Sequence, residues 1–497
     1  MSFDPKLANG NHTINHIAGN WRESTGEVGE QVVDSATGEV VAEVPFSPPE
    51  EVEEAVQAAQ QVFPEWSERP VEERIQPLFK LKQLLEESQE EIAQTMVREH
   101  GKTFDEAMGD VRRGIENVEV ATGIPSLMQA GHLENAAPGI DETAVRKPLG
   151  VFAGIIPFNF PAMIPLWFLP YAVGTGNTYI LKPSEKTPLT ANLIMQLIEE
   201  AGFPDGVINL VNGGPETVNT ILKSDGIEGI SFVGSTPIAK HVYKTAAETG
   251  KRVQAQGGAN NFVVVAPSTD IEFAAEKTLA SAFANAGQRC LANPNAIVTE
   301  PIYDEFVETL VELAEEYTVA DGRKEDSQMG PLISAEHLET VEEYIETGVD
   351  EGATLLVDGR EWEFPDEDPN GFFIGPTVFE DVDPEMTIVQ EEVFGPVLNL
   401  LRAPDLDAAF QVIDDDSFGN ASSLFTNSGG DAQQFRHEVD AGNLAVNMGT
   451  AAPMAFFHFG GWGDSFFGDL HGQDEDAIRF FTDEVVYMER WPDQQTE

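Results

Sequence analysis

The chain has 497 residues and carries 86 Asp or Glu against 28 Lys or Arg, which gives a net charge of −58 at pH 7. Apolar residues make up 41% of the chain, an ordinary globular proportion that excludes fibrous and wholly disordered proteins. Nucleic-acid binders need basic surface to neutralise phosphates, and an anionic membrane surface repels a chain this acidic. We therefore expect a globular protein of about two to four domains that binds neither nucleic acid nor membrane.

The acidic residues are spread along the whole chain rather than gathered in a tail. Self-repulsion of this size destabilises a fold at low salt, whereas near-molar salt shortens the Debye length to about 3 Å and screens the repulsion. This composition is typical of a cytoplasmic protein of a halophile, and an acidic protein of a non-halophile is the alternative. A single cysteine, which cannot form an internal disulfide, and the lack of an apolar amino-terminal signal segment also favour the cytoplasm.

Hydrophobic periodicity predicts the elements in chain order. Residues 50–63 place apolar side chains at helical spacing, and residues 71–98 continue in amphipathic helices. Strands are predicted at 151–156, 178–181, 207–211, 230–233, 262–266 and 296–299, and helices at 190–201, 235–248 and 271–286. This alternation, followed by a second α/β run from 303 to about 440, predicts doubly wound parallel sheets. The uncharged stretch 148–181 contains several prolines and is therefore predicted to be strand, loop and buried helix rather than a membrane span.

Five short segments carry side chains suited to chemistry. NAGQRC at 285–290 places the cysteine on a turn at a helix end, and PFNFP at 157–161 places an Asn in an apolar loop after a strand. SFVGST at 231–236 runs from a strand into a helix N-terminus, a geometry that binds phosphate. LKPSE at 181–185 and EEVFGPV at 391–397 complete the set. Taken singly, each segment also has a structural explanation, such as a buried cysteine, an Asx turn or a surface ion pair.

Together and in this order, the five segments resemble the aldehyde dehydrogenase superfamily, over nearly the whole chain from about residue 20 to 491. The finer resemblance is to the coenzyme-A-acylating methylmalonate-semialdehyde branch. The residues that carry it are 110–116, 157–167, 250–254, 287–290 and 480–482.

This resemblance implies an α/β fold with two doubly wound parallel-sheet domains and a small oligomerisation arm. The dinucleotide-binding domain would take 1–124 and 149–255, the catalytic domain 256–450, and the arm and tail 125–148 and 478–497. The arms of the family pair subunits, so a homodimer or homotetramer is expected.

The resemblance further implies thioester chemistry at Cys290. Its thiolate would attack the aldehyde, the side-chain amide of Asn159 and the backbone N–H of Cys290 would hold the oxyanion, and a hydride would pass to NAD⁺. Hydrolytic members activate water with a Glu whose place here is taken by Gln256, and a carboxamide cannot accept that proton. Transfer of the acyl group to coenzyme A is therefore expected. Gly257 and Asn260 depart from the branch's usual Met and Lys, and a hydrolytic enzyme with another base and a non-catalytic homologue are the alternatives.

The cofactor positions follow from the same resemblance. Lys182 and Glu185 match the adenosine-ribose contacts, and the Glu185 carboxylate would repel a 2′-phosphate, so NAD is expected rather than NADP. Gly234 and Ser235 would receive the pyrophosphate. The other implied cofactor positions are Ile156, Phe158, Lys186, Gly257, Glu392 (nicotinamide ribose) and Phe394. The two phenylalanines also suit plain core.

A carboxylated aldehyde needs a cationic partner, and Arg113 and Arg289 match the substrate arginines of the branch. Guanidinium groups bind carboxylates bidentately, although structural ion pairing with the many acids is the alternative. Scattered histidines without close spacing predict no metal site. The expected reaction is oxidation of methylmalonate or malonate semialdehyde with NAD⁺ and coenzyme A, giving propionyl-CoA or acetyl-CoA after loss of the carboxylate.

Overall fold

A computed structural model describes residues 5–8 and 11–491 of the chain. Within these ranges, no helix combines the length and the apolar character that crossing a membrane requires. The uncharged stretch 148–181 forms two buried strands and a buried helix between them, as its prolines predicted.

The amino-terminal part combines short strands with a run of amphipathic helices. Its strands are β1 (Leu7–Ala8), β2 (His12–Ile17), β3 (Asn20–Glu23), β4 (Val28–Val33) and β5 (Val40–Pro45). Its helices are α1 (Pro49–Glu68), α2 (Val71–Arg74), α3 (Gln76–Glu87), α4 (Gln89–His100), α5 (Phe104–Ala121) and α6 (Ile124–Leu127). Helix α5 starts with a capping box in which Thr103 and Glu106 each accept the other's backbone N–H, which satisfies two donors at the helix start.

The first large sheet follows a strict alternation of strand and helix. Its parallel strands are β8 (Val151–Ile155), β9 (Thr178–Lys182), β10 (Ile208–Leu210), β11 (Gly229–Val233) and β12 (Arg252–Gln256), preceded by the hairpin β6 (His132–Ala137) and β7 (Ile140–Pro148). The helices are α7 (Met163–Thr175), α8 (Pro188–Ala201), α9 (Pro215–Lys223) and α10 (Thr236–Glu248). Helix α7 is apolar on all sides and lies buried, as such helices do.

The strand order of this sheet reverses at β8. Strands β9 and β10 lie on one side of β8, while β11 and β12 lie on the other. The carboxyl ends of the central strands therefore open a crevice at the point of reversal, which is where ligands bind in open α/β sheets. Ile155, Lys182, Val233 and Gln256 are the last residues of β8, β9, β11 and β12.

The second large sheet is also built mainly from parallel strands. Its order is β15-β16-β17-β14-β13-β19-β20, with β15 antiparallel at the edge. The strands of this part are β13 (Phe262–Val265), β14 (Asn295–Thr299), β15 (Thr354–Val357), β16 (Thr377–Glu380), β17 (Val397–Ala403), β18 (Phe418–Gly419), β19 (Ala421–Phe425), β20 (Asn443–Val446), β21 (Trp462–Gly463) and β22 (Phe466–Gly468). The helices are α11 (Ile271–Phe283), α12 (Tyr303–Glu315), α13 (Ala335–Glu351), α14 (Thr387–Gln390), α15 (Leu406–Asp414), α16 (Gly429–Glu438) and α17 (Asp474–Phe481).

Later and earlier segments complete the edges of these sheets. Strand β22 pairs antiparallel with β12, and β2 pairs antiparallel with β10. The carboxyl-terminal strand β23 (Thr482–Glu489) pairs along its length with β7, which also pairs with β6, so a separate three-stranded sheet stands apart from the two large ones. Its strands fall within the segments 125–148 and 478–497, and the role of these segments as an oligomerisation arm stays a prediction.

The fold confirms the α/β, doubly wound prediction, but one helix boundary was wrong. The sequence predicted a helix over 271–286, whereas α11 ends at Phe283 and a distorted 3₁₀ turn spans Ala284–Gly287. Asn285, Ala286 and Gly287 adopt left-handed φ values of 57°, 52° and 72°. Apolar periodicity continues through Ala284 and Ala286, and so it could not show that the backbone reverses there.

Candidate active site

Cys290 lies in a tight turn that follows the left-handed segment. The N–H of Ala292 donates to the carbonyl of Arg289 (2.9 Å), which makes Cys290 and Leu291 the central residues of a β-turn. The thiol is partly buried, and burial raises its pKa to about 12. The adjacent Arg289 and the backbone N–H groups of Cys290 and Leu291 lower the pKa, but burial and the Glu392 carboxylate outweigh them and favour the neutral thiol in the free protein.

The cysteine opens onto a cavity of about 260 Å³. Arg113 and Arg289, the two arginines expected to bind a carboxylate, line the same cavity as Cys290. The apolar part of the wall includes Phe160, Met163, Trp167, Leu291 and Phe459. The carboxylates of Glu106 and Asp110 also line the cavity, and Asp110 is paired with Lys102. The cavity therefore joins a nucleophile, two cations and apolar surface, which suits a small anionic substrate.

The two arginines differ in what they already bind. Arg113 pairs with Glu116 (2.9 Å) and also donates to the carbonyl of Pro453. The Arg289 side chain makes no hydrogen bond or ion pair with any residue that the structure describes, and its charge is balanced only at longer range by Glu106. Burial lowers the pKa of Arg289, yet a guanidinium stays protonated. Arg289 is thus the cation with unused donors.

Asn159 reaches the cysteine loop from the other side. Its Nδ2 donates to the carbonyl of Gln288 (3.1 Å), two residues before Cys290, and its Oδ1 is buried without a hydrogen bond. This single hydrogen bond leaves the second N–H of the amide without a partner in the described part of the chain. The oxyanion role of Asn159 stays a prediction.

A buried ion pair fixes the loop that carries Asn159. The ammonium of Lys102 donates to Asp110 (3.1 Å) and to the carbonyl of Asn159 (2.7 Å), and it lies over the ring of Phe160 at 4.2 Å. The other oxygen of Asp110 accepts the N–H of Met163 (2.7 Å). The loop is therefore held at residues 159 and 163 by one pair, for which the sequence analysis had no signal.

Gln256 is buried at the end of β12, where its Nε2 donates to the carbonyl of Phe459 (3.3 Å). Because Phe459 lines the cavity, the structure brings Gln256 to the boundary of the site. Glu392 accepts the N–H of Ala259 (3.0 Å), and burial raises its pKa to about 7. A Cβ at Gly258 would lie 2.3 Å from the Glu392 carboxylate, so this glycine allows the close approach.

Lys182 and Glu185 form an ion pair (2.8 Å) at the carboxyl end of β9. Burial raises the pKa of Glu185, but Lys182 outweighs it and the net shift is downward, which keeps the carboxylate ionised. Lys186 instead binds Glu30 (3.1 Å), on β4. Lys186 was expected as an additional cofactor contact, and the structure turns its ammonium toward β4.

The remaining cofactor positions share the same edge. Gly234 connects β11 to α10, and Ser235 is the N-cap of that helix. Its side chain makes no capping hydrogen bond, so the N–H groups of the first turn are uncapped. Gly257 packs closely, since a Cβ there would lie 2.8 Å from the carbonyl of Asp464. The rings of Phe158 and Phe394 meet edge to face, with their centroids 6.0 Å apart. Ile156, the residue that follows β8, is buried.

The site also contains polar residues that sequence reasoning missed. Gln473 lines the cavity, has a positive φ of 71°, and its buried Oε1 has no hydrogen bond in the described part of the chain. Two asparagines, Asn261 and Asn420, donate to the carbonyl of Cys290. They precede strands of ordinary composition, and a lone Asn before a strand resembles any turn residue.

With this geometry established, comparison with known proteins identifies the family. The model of the aldehyde dehydrogenase family matches residues 21–486. The chain belongs to this family. Its curated relatives include a malonate-semialdehyde dehydrogenase of Bacillus cereus (strain AH187), which is 48% identical over 477 residues, covering 96% of this chain and 98% of the relative.

Solved structures of the family agree with this. A structure described as methylmalonate-semialdehyde dehydrogenase from Sinorhizobium meliloti 1021, complexed with NAD, is 38% identical, with a TM-score of 0.95, covering 97% of this chain and 98% of that one. The methylmalonate-semialdehyde dehydrogenase of Oceanimonas doudoroffii is 41% identical, with a TM-score of 0.94, covering 96% and 98%. The superfamily predicted from the five motifs is thus confirmed, while the role of each site residue stays a prediction.

Proposed function

We propose that the chain is an NAD-dependent dehydrogenase of malonate or methylmalonate semialdehyde that transfers the acyl group to coenzyme A. The relatives named for these two substrates support the substrate class, at 48% and 41% identity over most of the chain. The observation that carries the proposal is the cavity in which Cys290 lies beside Arg289, a cation whose side chain has no partner in the described part of the chain. An aldehyde with a carboxylate two carbons away offers one group to each.

The protein groups would act in the following order. Arg289 binds the substrate carboxylate, and Cys290 attacks the aldehyde carbon as a thiolate. The amide of Asn159 and the N–H of Cys290 stabilise the oxyanion that forms. Loss of a hydride from this adduct leaves an acyl group on Cys290 as a thioester. The carboxylate of this acyl group leaves as carbon dioxide and a proton takes its place on the carbon. The thiol of coenzyme A then takes the shortened acyl group and releases Cys290.

The residues present fit NAD. The crevice at the reversal of strand order carries an uncapped helix N-terminus for a pyrophosphate and an ionised Glu185 for ribose hydroxyls. Gly258 leaves room for Glu392 to approach within the same crevice. When bound there, NAD⁺ supplies the hydride acceptor. Lys182, Glu185 and Glu392 would hold the two riboses, and Gly234 and Ser235 the pyrophosphate.

Gln256 decides how the thioester is released. A water molecule needs a base to attack a thioester efficiently, and a buried carboxamide bonded to Phe459 cannot serve as that base. The thiol of coenzyme A depends less on a base because its pKa is far below that of water. For malonate semialdehyde, one aldehyde, one NAD⁺ and one coenzyme A give acetyl-CoA, carbon dioxide and NADH.

The experiment measures steady-state NADH production with malonate semialdehyde, with and without coenzyme A, for the natural chain and for Gln256→Glu. We expect a burst without coenzyme A followed by slow turnover in the natural chain. The variant should gain coenzyme-A-independent turnover, up to the roughly 10²–10⁴-fold that a well-placed base contributes. Fast turnover of the natural chain without coenzyme A would instead establish the hydrolytic enzyme, and no NADH with any aldehyde would establish a non-catalytic homologue.

The remaining proposals concern organisation and environment. We infer three domains: 1–124 with 149–255, then 256–450, and an arm formed by 125–148 with 478–497. We also infer a homodimer or homotetramer formed through the arms. Size-exclusion chromatography with light scattering tests this oligomeric state.

The net charge of −58 favours a protein that works in a cytoplasm of high salt. The midpoint of urea unfolding should rise from 0.1 M to 3 M KCl, and an unchanged midpoint would contradict this.

A further inference from the structure

The backbone that carries Cys290 contains one peptide group that the turn itself does not hold. In the β-turn 289–292, the closing hydrogen bond uses the carbonyl of Arg289 and the N–H of Ala292. The peptide between Cys290 and Leu291 lies in the middle of this turn. Turns of types I and II differ by rotation of this middle peptide, so its orientation needs support from outside the turn.

Two side chains supply that support. Nδ2 of Asn261 donates to the carbonyl of Cys290 at 2.9 Å, and Nδ2 of Asn420 donates to the same oxygen at 2.7 Å. A carbonyl oxygen has two lone pairs, and these two amides use both. The two asparagines are buried, at 1% and 6% exposure, so water does not compete at this oxygen.

The asparagines are themselves anchored on rigid elements. Asn261 immediately precedes β13 and Asn420 immediately precedes β19, and these strands are parallel neighbours. Asn261 also donates to the carbonyl of Ala292 (2.6 Å) and accepts the N–H of Ala421 (3.0 Å). Its amide thereby ties the nucleophile loop to the amino ends of both strands.

The orientation of the carbonyl fixes the orientation of the donor on the same peptide. In a trans peptide the C=O and the N–H point in opposite directions. With the Cys290 carbonyl directed at the asparagines, the N–H of Leu291 is directed to the side of the thiol, where it acts to favour the thiolate. The N–H of Cys290, the expected oxyanion donor, belongs to the preceding peptide, whose carbonyl already accepts the turn hydrogen bond from Ala292.

We propose that Asn261 and Asn420 are positioning residues that hold the Cys290–Leu291 peptide so that its N–H faces the sulfur. The inference deepens the proposed function, because it rests on Cys290 being the nucleophile. It does not depend on which aldehyde is the substrate or on whether coenzyme A or water releases the product. Neither asparagine touches the substrate cavity in the described part of the chain.

The test uses alkylation of the single cysteine of the full-length chain by iodoacetamide at pH 7 to 9, without substrate. Asn420→Ala and the nearly isosteric, uncharged Asn420→Leu both remove one donor, and the rate should fall roughly three- to tenfold, the worth of one hydrogen bond. Asn399→Ala is the matched control, because Asn399 is an equally buried amide in the same sheet that bonds Asn295 and Ile388 instead. Its rate should equal that of the natural chain.

The sign of the change separates positioning from loss of structure. A loosened loop exposes a partly buried thiol and speeds its alkylation, whereas a turned peptide slows it. An unchanged or faster rate in both Asn420 variants, with NAD affinity and circular dichroism unaltered, would overturn the proposal. If the natural chain fails to oxidise semialdehydes but the Asn420 variants still slow alkylation, the proposed function fails and the positioning role stands.

Discussion

The cofactor edge of the first sheet and the cysteine loop of the second sheet differ in backbone conformation and in how many of their polar groups already have partners. At the cofactor edge, regular strands end in register, and the charged groups Lys182, Glu185 and Lys186 all have ion-pair partners. In the cysteine loop, three consecutive residues are left-handed, and the Arg289 side chain has no partner among the residues that the structure describes. Around this loop, the buried amide oxygens of Asn159, Asn285 and Gln473 likewise lack hydrogen bonds within residues 5–8 and 11–491.

This difference indicates that the polar groups which only a substrate can pair lie around the cysteine loop. At the cofactor edge, a ligand meets charged side chains that already have partners, and the uncapped N–H groups at the start of α10 are the donors left for it. A ligand in the cavity supplies partners to groups whose burial without partners lowers the stability of the free protein. Substitutions in the two regions should therefore differ in size and in kind.

Cys290→Ala should have the largest effect on activity of any substitution in the two regions. NADH formation should disappear, since no other thiol exists in the chain, while NAD affinity measured by fluorescence titration should not change. Cys290→Ser serves as the control for side-chain volume. Turnover near that of the natural chain in the Ala variant would place the chemistry on another residue.

Arg289→Leu tests whether an unpaired cation in the cavity recognises the carboxylate. Its kcat/KM for malonate semialdehyde should fall about ten- to hundredfold more than that for propanal, because a charged hydrogen bond contributes roughly 1.5–3 kcal/mol. Arg113→Leu should discriminate less, because Arg113 is already bound to Glu116 and Pro453. Equal losses for both aldehydes in both variants would make the arginines structural.

Glu185→Gln tests the cofactor edge, where partners are already present. The KM for NAD should rise roughly three- to tenfold with kcat unchanged, and the preference for NAD over NADP should narrow as the negative charge is removed. Lys186→Met is the matched control, since its ammonium binds Glu30, and it should leave both values near those of the natural chain. A kcat effect in Glu185→Gln would contradict a pure binding role.

Ala286→Gly should have the smallest effect. It should maintain or raise thermal stability, whereas most substitutions to glycine lower it. Ala286 has a φ of 52°, a conformation that costs an L-residue about 1–2 kcal/mol and a glycine almost nothing. Relief of this strain should match or exceed the entropy that glycine loses on folding, so the midpoint of thermal unfolding should hold or rise by a degree or two. A drop of several degrees would show that the methyl group is needed for packing.

The same contrast explains what could be predicted from sequence. Strands such as Phe262–Val265 and helices such as Pro188–Ala201 follow from hydrophobic period, and Cys290, Asn159 and Gln256 follow from motifs that resemble a family. The end of α11 does not, because alanine gives no sign of a left-handed backbone. The Lys102–Asp110 pair and the asparagines before β13 and β19 depend on contacts between residues far apart in sequence, which no local pattern contains.

Strand β23 is synthesised long after β7, the strand with which it pairs. Strand β23 begins at Thr482, opposite Pro148 at the end of β7, so roughly 330 residues separate the two partners. At about 5–20 residues per second, a ribosome needs roughly 20–70 seconds to cover that distance. During this interval β7 has one open edge, and the charges of Asp141, Glu142, Arg146 and Lys147 along it discourage pairing with other nascent chains. The three-stranded sheet of β6, β7 and β23 is therefore completed only after both large sheets have been synthesised.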